Sequence, residues 1–185
     1  MLDPDGIDVS CTSSPDKKER CTTATKAVNF VKKSFSEGNG DDCHIERALE
    51  AILSSVRKGW APDRISTIRA PFNIDSKTSS RDRGVSVYIL TDGRWEPTSD
   101  DGVCGADKPI QVMINQMKNQ GVGRTRVSLQ FAKFGDHPVG AQRLEKLDDD
   151  ISKTAGNEDY DIVDCKPIDG DIWQLLIGST SLSND

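Results

Sequence analysis

Hydrophobic and polar positions sort much of this chain into alternating strands and helices. Gly6 to Cys11 alternates around Ile7, Asp8 and Val9 and reads as a short strand. Thr12 to Lys18 (Thr-Ser-Ser-Pro-Asp-Lys-Lys) has the composition of a loop. Ala24, Val28, Val31 and Phe35 then recur at helical spacing, with Lys26, Lys32 and Lys33 outward and a stop near Gly38-Asn39-Gly40. Ile45, Ala48, Leu49, Ile52, Leu53 and Val56 form the cleanest amphipathic helix. Residues 60–84 show no sustained period, hold Pro62, Pro71 and a polar run from Asp75 to Arg83, and read as a mobile loop that is long for a compact domain.

The second half is more regular. Val85 to Thr91 is an apolar, β-branched run ending in Thr91-Asp92-Gly93, the pattern of a buried parallel strand with a carboxylate just past its carboxyl end. Asp107 and Pro109 open a helix carrying Ile110, Met113, Ile114 and Met117, closed by Gly121. Arg126 to Phe134 is a strand. Asp136 and Pro138 start a helix with Leu144, Leu147 and Ile151 inward. Tyr160 to Cys165 is a strand, and Asp169 caps a last helix with Ile172, Trp173, Leu176 and Ile177. Such alternation is the mark of an α/β fold with a doubly wound parallel sheet, here a single domain over residues 1–185.

Composition narrows the function classes. A net charge of −6, with both signs mixed along the chain, supplies no basic block for nucleic-acid phosphates or an anionic membrane. No apolar run spans a bilayer, and no signal peptide is visible at Met1-Leu2-Asp3-Pro4-Asp5. The five cysteines are widely spaced without a C-x-x-C pair, which disfavours structural zinc and reads as free thiols in a reducing, cytoplasmic compartment.

Candidate chemistry centres on Asp92, because ligands of open α/β sheets bind beyond the carboxyl ends of the strands. Asp92, Asp136 and Asp164 each follow or end an expected strand and would share that edge, although Asp136 also suits a helix cap and Asp164 a turn. Arg94 and Trp95 follow directly; Trp95 is either an exposed anchor for a partner or a lid packed over the sheet. Trp173 falls on an inward stripe. Cys104 and His137 have nothing that brings them together as nucleophile and base. Leu147-Asp148-Asp149-Asp150 reads as a solvated helix face.

Taken in order, Asp3-Pro4-Asp5-Gly6-Ile7-Asp8, Ile89-Leu90-Thr91-Asp92-Gly93, Gln130 to Asp136, Leu144 to Asp149, and Asp161-Ile162-Val163-Asp164 with Asp169-Gly170-Asp171-Ile172-Trp173 resemble a von Willebrand factor type A-like domain of the fungal type. The resemblance implies a Rossmann-like parallel sheet flanked by helices. It also implies a divalent-cation adhesion site for Mg²⁺ or Mn²⁺, built from Asp-x-Ser-x-Ser, a Thr before a helix, and the Asp of Thr-Asp-Gly. This chain has no Asp-x-Ser-x-Ser near its start and Cys43 at the Thr position, a poor ligand for a hard cation. Asp92 remains, with Asp42 (and Asp41) as further oxygen donors, so the site reads as degenerate and no cofactor is expected. The first central strand of the family would be missing, leaving the strand at Gly6 to Cys11 to close up against Val85 to Thr91, or a partner to complete the sheet.

The expected function is therefore a non-catalytic protein-interaction module, not an enzyme, whose contact surface lies around Asp92, Arg94, Trp95 and the 60–84 loop. Its partner is another protein. The alternatives are a metal-dependent adhesion module completed by upstream sequence, and a phosphohydrolase using Asp3 and Asp5 of Asp3-Pro4-Asp5-Gly6. The latter motif needs an apolar strand before it, and only Met1 and Leu2 precede it here.

Overall fold

Every residue from Val127 to Ala132 is buried, which is the burial of a central strand covered on both faces. In this computed structural model, which describes residues 5–37, 43–58, 84–95, 105–154 and 158–170, that strand organises a parallel three-stranded sheet. In chain order the elements are β1 (Ile7–Cys11), β2 (Ser14–Cys21), α1 (Ala24–Glu37), α2 (Ile45–Lys58), β3 (Val85–Thr91), α3 (Asp107–Asn119), β4 (Val127–Lys133), α4 (Pro138–Thr154) and β5 (Val163–Pro167). Strand β4 lies between β3 and β5, and α3 and α4 are the crossovers that parallel pairing demands. The chain is thus mixed α/β with a parallel sheet flanked by helices, as its periodicity predicts.

Register fixes the two faces. Val85 pairs with Val127 and Leu129 with Val163, so Val87, Ile89, Leu129, Phe131, Val163 and Cys165 share one face. There they join the apolar stripes of α2, α3 and α4 (Leu49 and Leu53, Ile110, Met113, Ile114 and Met117, Leu144 and Leu147) in one core. Each fully buried side chain of this size contributes about 1.5–3 kcal/mol. The opposite face carries Ser86, Tyr88 and Leu90 of β3 beside Ser128, Gln130 and Ala132 of β4 and Asp164 of β5. Gln130 is buried, and its Nε2 donates to the Asp164 carbonyl at 3.1 Å.

Helix α3 ends as its sequence predicts. Gly121 adopts φ 64°, its amide donates to Lys118 O at 3.1 Å and the Val122 amide to Met117 O at 2.9 Å, the paired bonds of a Schellman stop.

The amino-terminal part departs from expectation. Residues 14–18, expected as loop, belong to β2, which pairs antiparallel with β1 in a separate two-stranded sheet. Asp8 holds this hairpin, accepting from Arg20 Nε and Lys18 Nζ, both at 2.8 Å. Among the described residues β1 therefore does not close up against β3: it pairs with β2 alone, in a sheet separate from β3.

Helix α1 begins with Thr23, whose Oγ1 accepts from the Lys26 amide at 3.2 Å as an N-cap. It packs on the hairpin and buries Ser34, while Val28, Val31 and Phe35 are exposed. The expected apolar stripe thus does not face inward, because the helix rests on a polar hairpin rather than on the main sheet. Helix α2 does bury its predicted stripe at Ile45, Ala48, Leu49 and Leu53, and Lys108 of α3 reaches its Glu46 at 3.3 Å.

The expected loop up to Arg83, the Gly38-Asn39-Gly40 stop and the last helix around Trp173 lie outside the described residues. No described helix is long and apolar enough to cross a membrane.

Candidate functional site

The carboxyl end of β3 is a turn built by its own side chains. Thr91 Oγ1, buried, accepts from the Gly93 amide at 3.0 Å, and Asp92 Oδ1 accepts from the Arg94 amide at 3.0 Å. These are local side-chain-to-backbone bonds of the kind that Thr and Asp offer at turns. They leave the Asp92 carboxylate half-buried at the sheet edge, with one oxygen committed to the turn. Gly93 takes φ 76°, and the turn rests directly on the first turn of α4 at Gly140.

The structure divides the three expected contact residues. Asp92 is accessible in part and Arg94 is exposed. Trp95 is not a surface anchor: it is 2% exposed and belongs to the core cluster. The Arg143 guanidinium lies 5.9 Å from its ring centroid, and Arg143 Nη1 donates to the Trp95 carbonyl at 2.8 Å. Trp95 therefore packs into the core beside Arg143 of α4, and a large buried aromatic is worth more as core than as an interface hot spot.

The expected row of acidic residues is also broken. Asp136 is exposed ahead of α4, but Asp164 lies within β5 rather than at its end, because β5 runs from Val163 to Pro167. It is buried and paired with Lys166, Nζ to Oδ1 2.9 Å. Asp42, Asp41 and Asp3 lie outside the described residues. Asp5 sits in an exposed turn before β1, so it precedes a strand instead of following one. Cys43 Sγ lies 3.2 Å from Thr12 Oγ1, and its side chain packs against the core. Among the described residues no three His, Cys, Asp or Glu side chains are grouped so as to hold a metal ion. Cys104 lies outside the described residues, and His137 is exposed. The described cysteines, Cys11, Cys21, Cys43 and Cys165, form no disulfide.

More of the available surface is on β3 itself than sequence suggested. Leu90 is 64% exposed and Tyr88 40%, although their neighbours on β4 are buried. The Thr91 carbonyl accepts from the Phe134 amide at 3.0 Å, on the β4 side. Backbone groups alternate in direction along a strand, so those of Ser86 and Leu90 are directed toward the outer edge. Among the described residues no strand pairs with that edge.

Sequence reasoning missed two sets of residues. Arg143 holds Trp95 and was hidden by its place in an otherwise ordinary helix. Asp148 of α4, expected on a solvated helix face, instead lies partly buried and accepts from the Cys165 amide at 3.2 Å. Its signal was present: four residues from Leu144 and next to Leu147, it borders the apolar stripe while Asp149 and Asp150 face solvent. Burial, and then the charge of Asp164, push its carboxyl up to about 6, with Asp161 adding to the effect and Lys166 and the Cys165 amide opposing it. Burial likewise pushes the Cys165 thiol up, with Asp148 next in order, which makes it a poor nucleophile.

Comparison with protein-family models, curated proteins and solved structures finds no match for this chain.

Proposed function

We propose that this chain is a non-catalytic protein-interaction module of the von Willebrand factor A-like class. It docks its partner along the outer edge of β3 and the Asp92–Arg94 turn that ends it. The observation that carries this reading is Leu90, 64% exposed on a strand of a parallel sheet, a class of sheet whose strands are ordinarily covered on both faces. The partner fitted to such an edge is a protein that adds an extended apolar segment, with main-chain bonds giving affinity and alternate side chains giving specificity. Asp92 and Arg94 then offer one charge of each sign at the end of that edge, which sets register more than affinity. Trp95 supports the turn from beneath and makes no contact.

The test is affinity isolation with wild-type chain, Leu90→Lys, Asp92→Ala, and Val112→Lys on the exposed side of α3 as a surface control. Partners held by wild type and Val112→Lys should be lost by Leu90→Lys and weakened by Asp92→Ala. Hydrogen exchange of the complex should show new protection confined to residues 85–94. Equal recovery with Leu90→Lys, or protection elsewhere, defeats the reading.

A further inference from the structure

Among the described residues strand β5 is the other edge of the sheet. Leu129 N donates to Ile162 O at 2.7 Å and Ile168 N to Lys133 O at 2.8 Å, so alternate residues of this segment address β4 and the Cys165 amide points outward. An outward amide on an edge strand needs an acceptor. Asp148 Oδ1 supplies it, and one turn earlier in α4 the Leu144 carbonyl accepts from Cys165 Sγ at 3.3 Å. Two contacts on one helix thus grip one residue of the strand.

The carboxylate in that grip is poorly placed for a charge. The charges that act on it are those of Asp164 and Lys166, carried by β5 on the other face of the sheet, and of Asp161 just before β5; the Cys165 thiol beside it also feels Asp149 of α4, which itself faces solvent. The one ammonium among them is bound to Asp164 Oδ1, while Asp164 Oδ2 is buried without a hydrogen-bond partner among the described residues. Negative charge therefore outnumbers positive charge in a partly desolvated seam. Neutralising one carboxyl relieves both the burial cost and the repulsion.

We propose that Asp148 is a pH-responsive clasp between α4 and β5, whose neutral form holds the edge strand more firmly than its charged form does. A neutral carboxyl still accepts the Cys165 amide through its carbonyl oxygen, so the contact survives protonation while the repulsion does not. Its folded value, about 6, lies above the ordinary 3.8, so the folded chain takes up a proton before the unfolded chain does. The penalty is complete above about pH 6 and is relieved as pH falls toward 3.8. Acidification through that window firms the seam, and neutral or alkaline pH loosens it.

The test replaces Asp148 with Asn, which keeps the carbonyl acceptor and removes the charge. In wild type, protection of the Cys165 amide against exchange, corrected for the intrinsic rate, should rise between pH 7.5 and 5 by at most about 10-fold, since a carboxyl with a midpoint near 6 gains about one pH unit of linkage by pH 5. In Asp148→Asn it should be high at both pH values, and the variant should melt above wild type at pH 7.5. A variant that melts below wild type at pH 7.5, or follows the same pH dependence, overturns the proposal. A second variant, Asp164→Asn, reads the same clasp with Asp148 intact. Carboxyl ¹³C NMR should show the Asp148 midpoint falling from its wild-type value toward 4. An unmoved midpoint, or a wild-type midpoint already near 4, also overturns it.

Discussion

Gly93 and Gly140 meet backbone to backbone: a Cβ built on Gly93 would lie 2.5 Å from Gly140 Cα, and one built on Gly140 would lie 3.2 Å from Gly93 Cα and collide with the Asp92 carbonyl. The contact joins the turn after β3 to the first turn of α4. It fixes the height at which Asp92 and Arg94 stand at the sheet edge. Gly93 is doubly constrained, since its φ of 76° is one that residues with a Cβ adopt only at a cost.

Gly93→Ala should therefore be among the most damaging small substitutions in the chain. Left-handed backbone costs about 1–2 kcal/mol, and overpacking against a backbone that cannot give costs about 1–3 kcal/mol more. Gly140→Ala carries only the second cost. Urea unfolding should rank wild type above Gly140→Ala above Gly93→Ala. A Gly93→Ala protein as stable as wild type would mean that the two turns are not in contact.

Arg143 and Trp95 lead to a second prediction. Arg143→Ala removes the cation above the indole and the donor to the Trp95 carbonyl, at a cost of about 2–4 kcal/mol if both losses are felt. Trp95 should then become wetter. With Trp60 and Trp173 changed to Phe, the remaining emission should shift to the red in Arg143→Ala. Unchanged emission and stability would place the indole elsewhere.

The sheet was legible because its signals are local and redundant. The apolar runs of β3 and β4, the Asp107 and Gly121 ends of α3, and the Leu144–Leu147–Ile151 stripe of α4 each agree with the core they build. What was not legible depends on partners far apart in sequence. β2, Ser-Pro-Asp-Lys-Lys-Glu-Arg-Cys, lacks apolar alternation and is a strand only because β1 pairs with it and Asp8 bridges to Lys18 and Arg20. Trp95 could be read as anchor or as core, and the choice depended on Arg143, 48 residues away. Asp164 was expected at a strand end, and the strand continues past it to Pro167.

The hairpin carries a pH dependence opposite in sign to that of the α4–β5 seam. Hydrogen bonds from Arg20 and then Lys18 lower the Asp8 carboxyl to about 2, from an ordinary 3.8. A lowered value means that the folded state binds its proton less readily, so the contribution is present above about pH 4 and is lost as pH falls through about 2. The pair is substantially exposed, so Asp8→Asn should cost under about 1 kcal/mol at pH 7, and less in high salt. Amide exchange of the hairpin should show wild type and variant converging at pH 2.

Helix α1 offers a prediction in which sequence periodicity and structure point in opposite directions. Val28, Val31 and Phe35 carry the helical apolar spacing, yet Phe35 is 83% exposed, while the hydroxyl residue Ser34 is 4% exposed. Because the helix rests on the hairpin with this residue outward, Phe35→Ser removes a side chain that packs on little and should change stability by no more than about 0.5 kcal/mol. Ser34→Asp instead buries an unpaired charge and should cost about 1–3 kcal/mol. The reverse order of stabilities would show that α1 is rotated, with its apolar stripe against the chain.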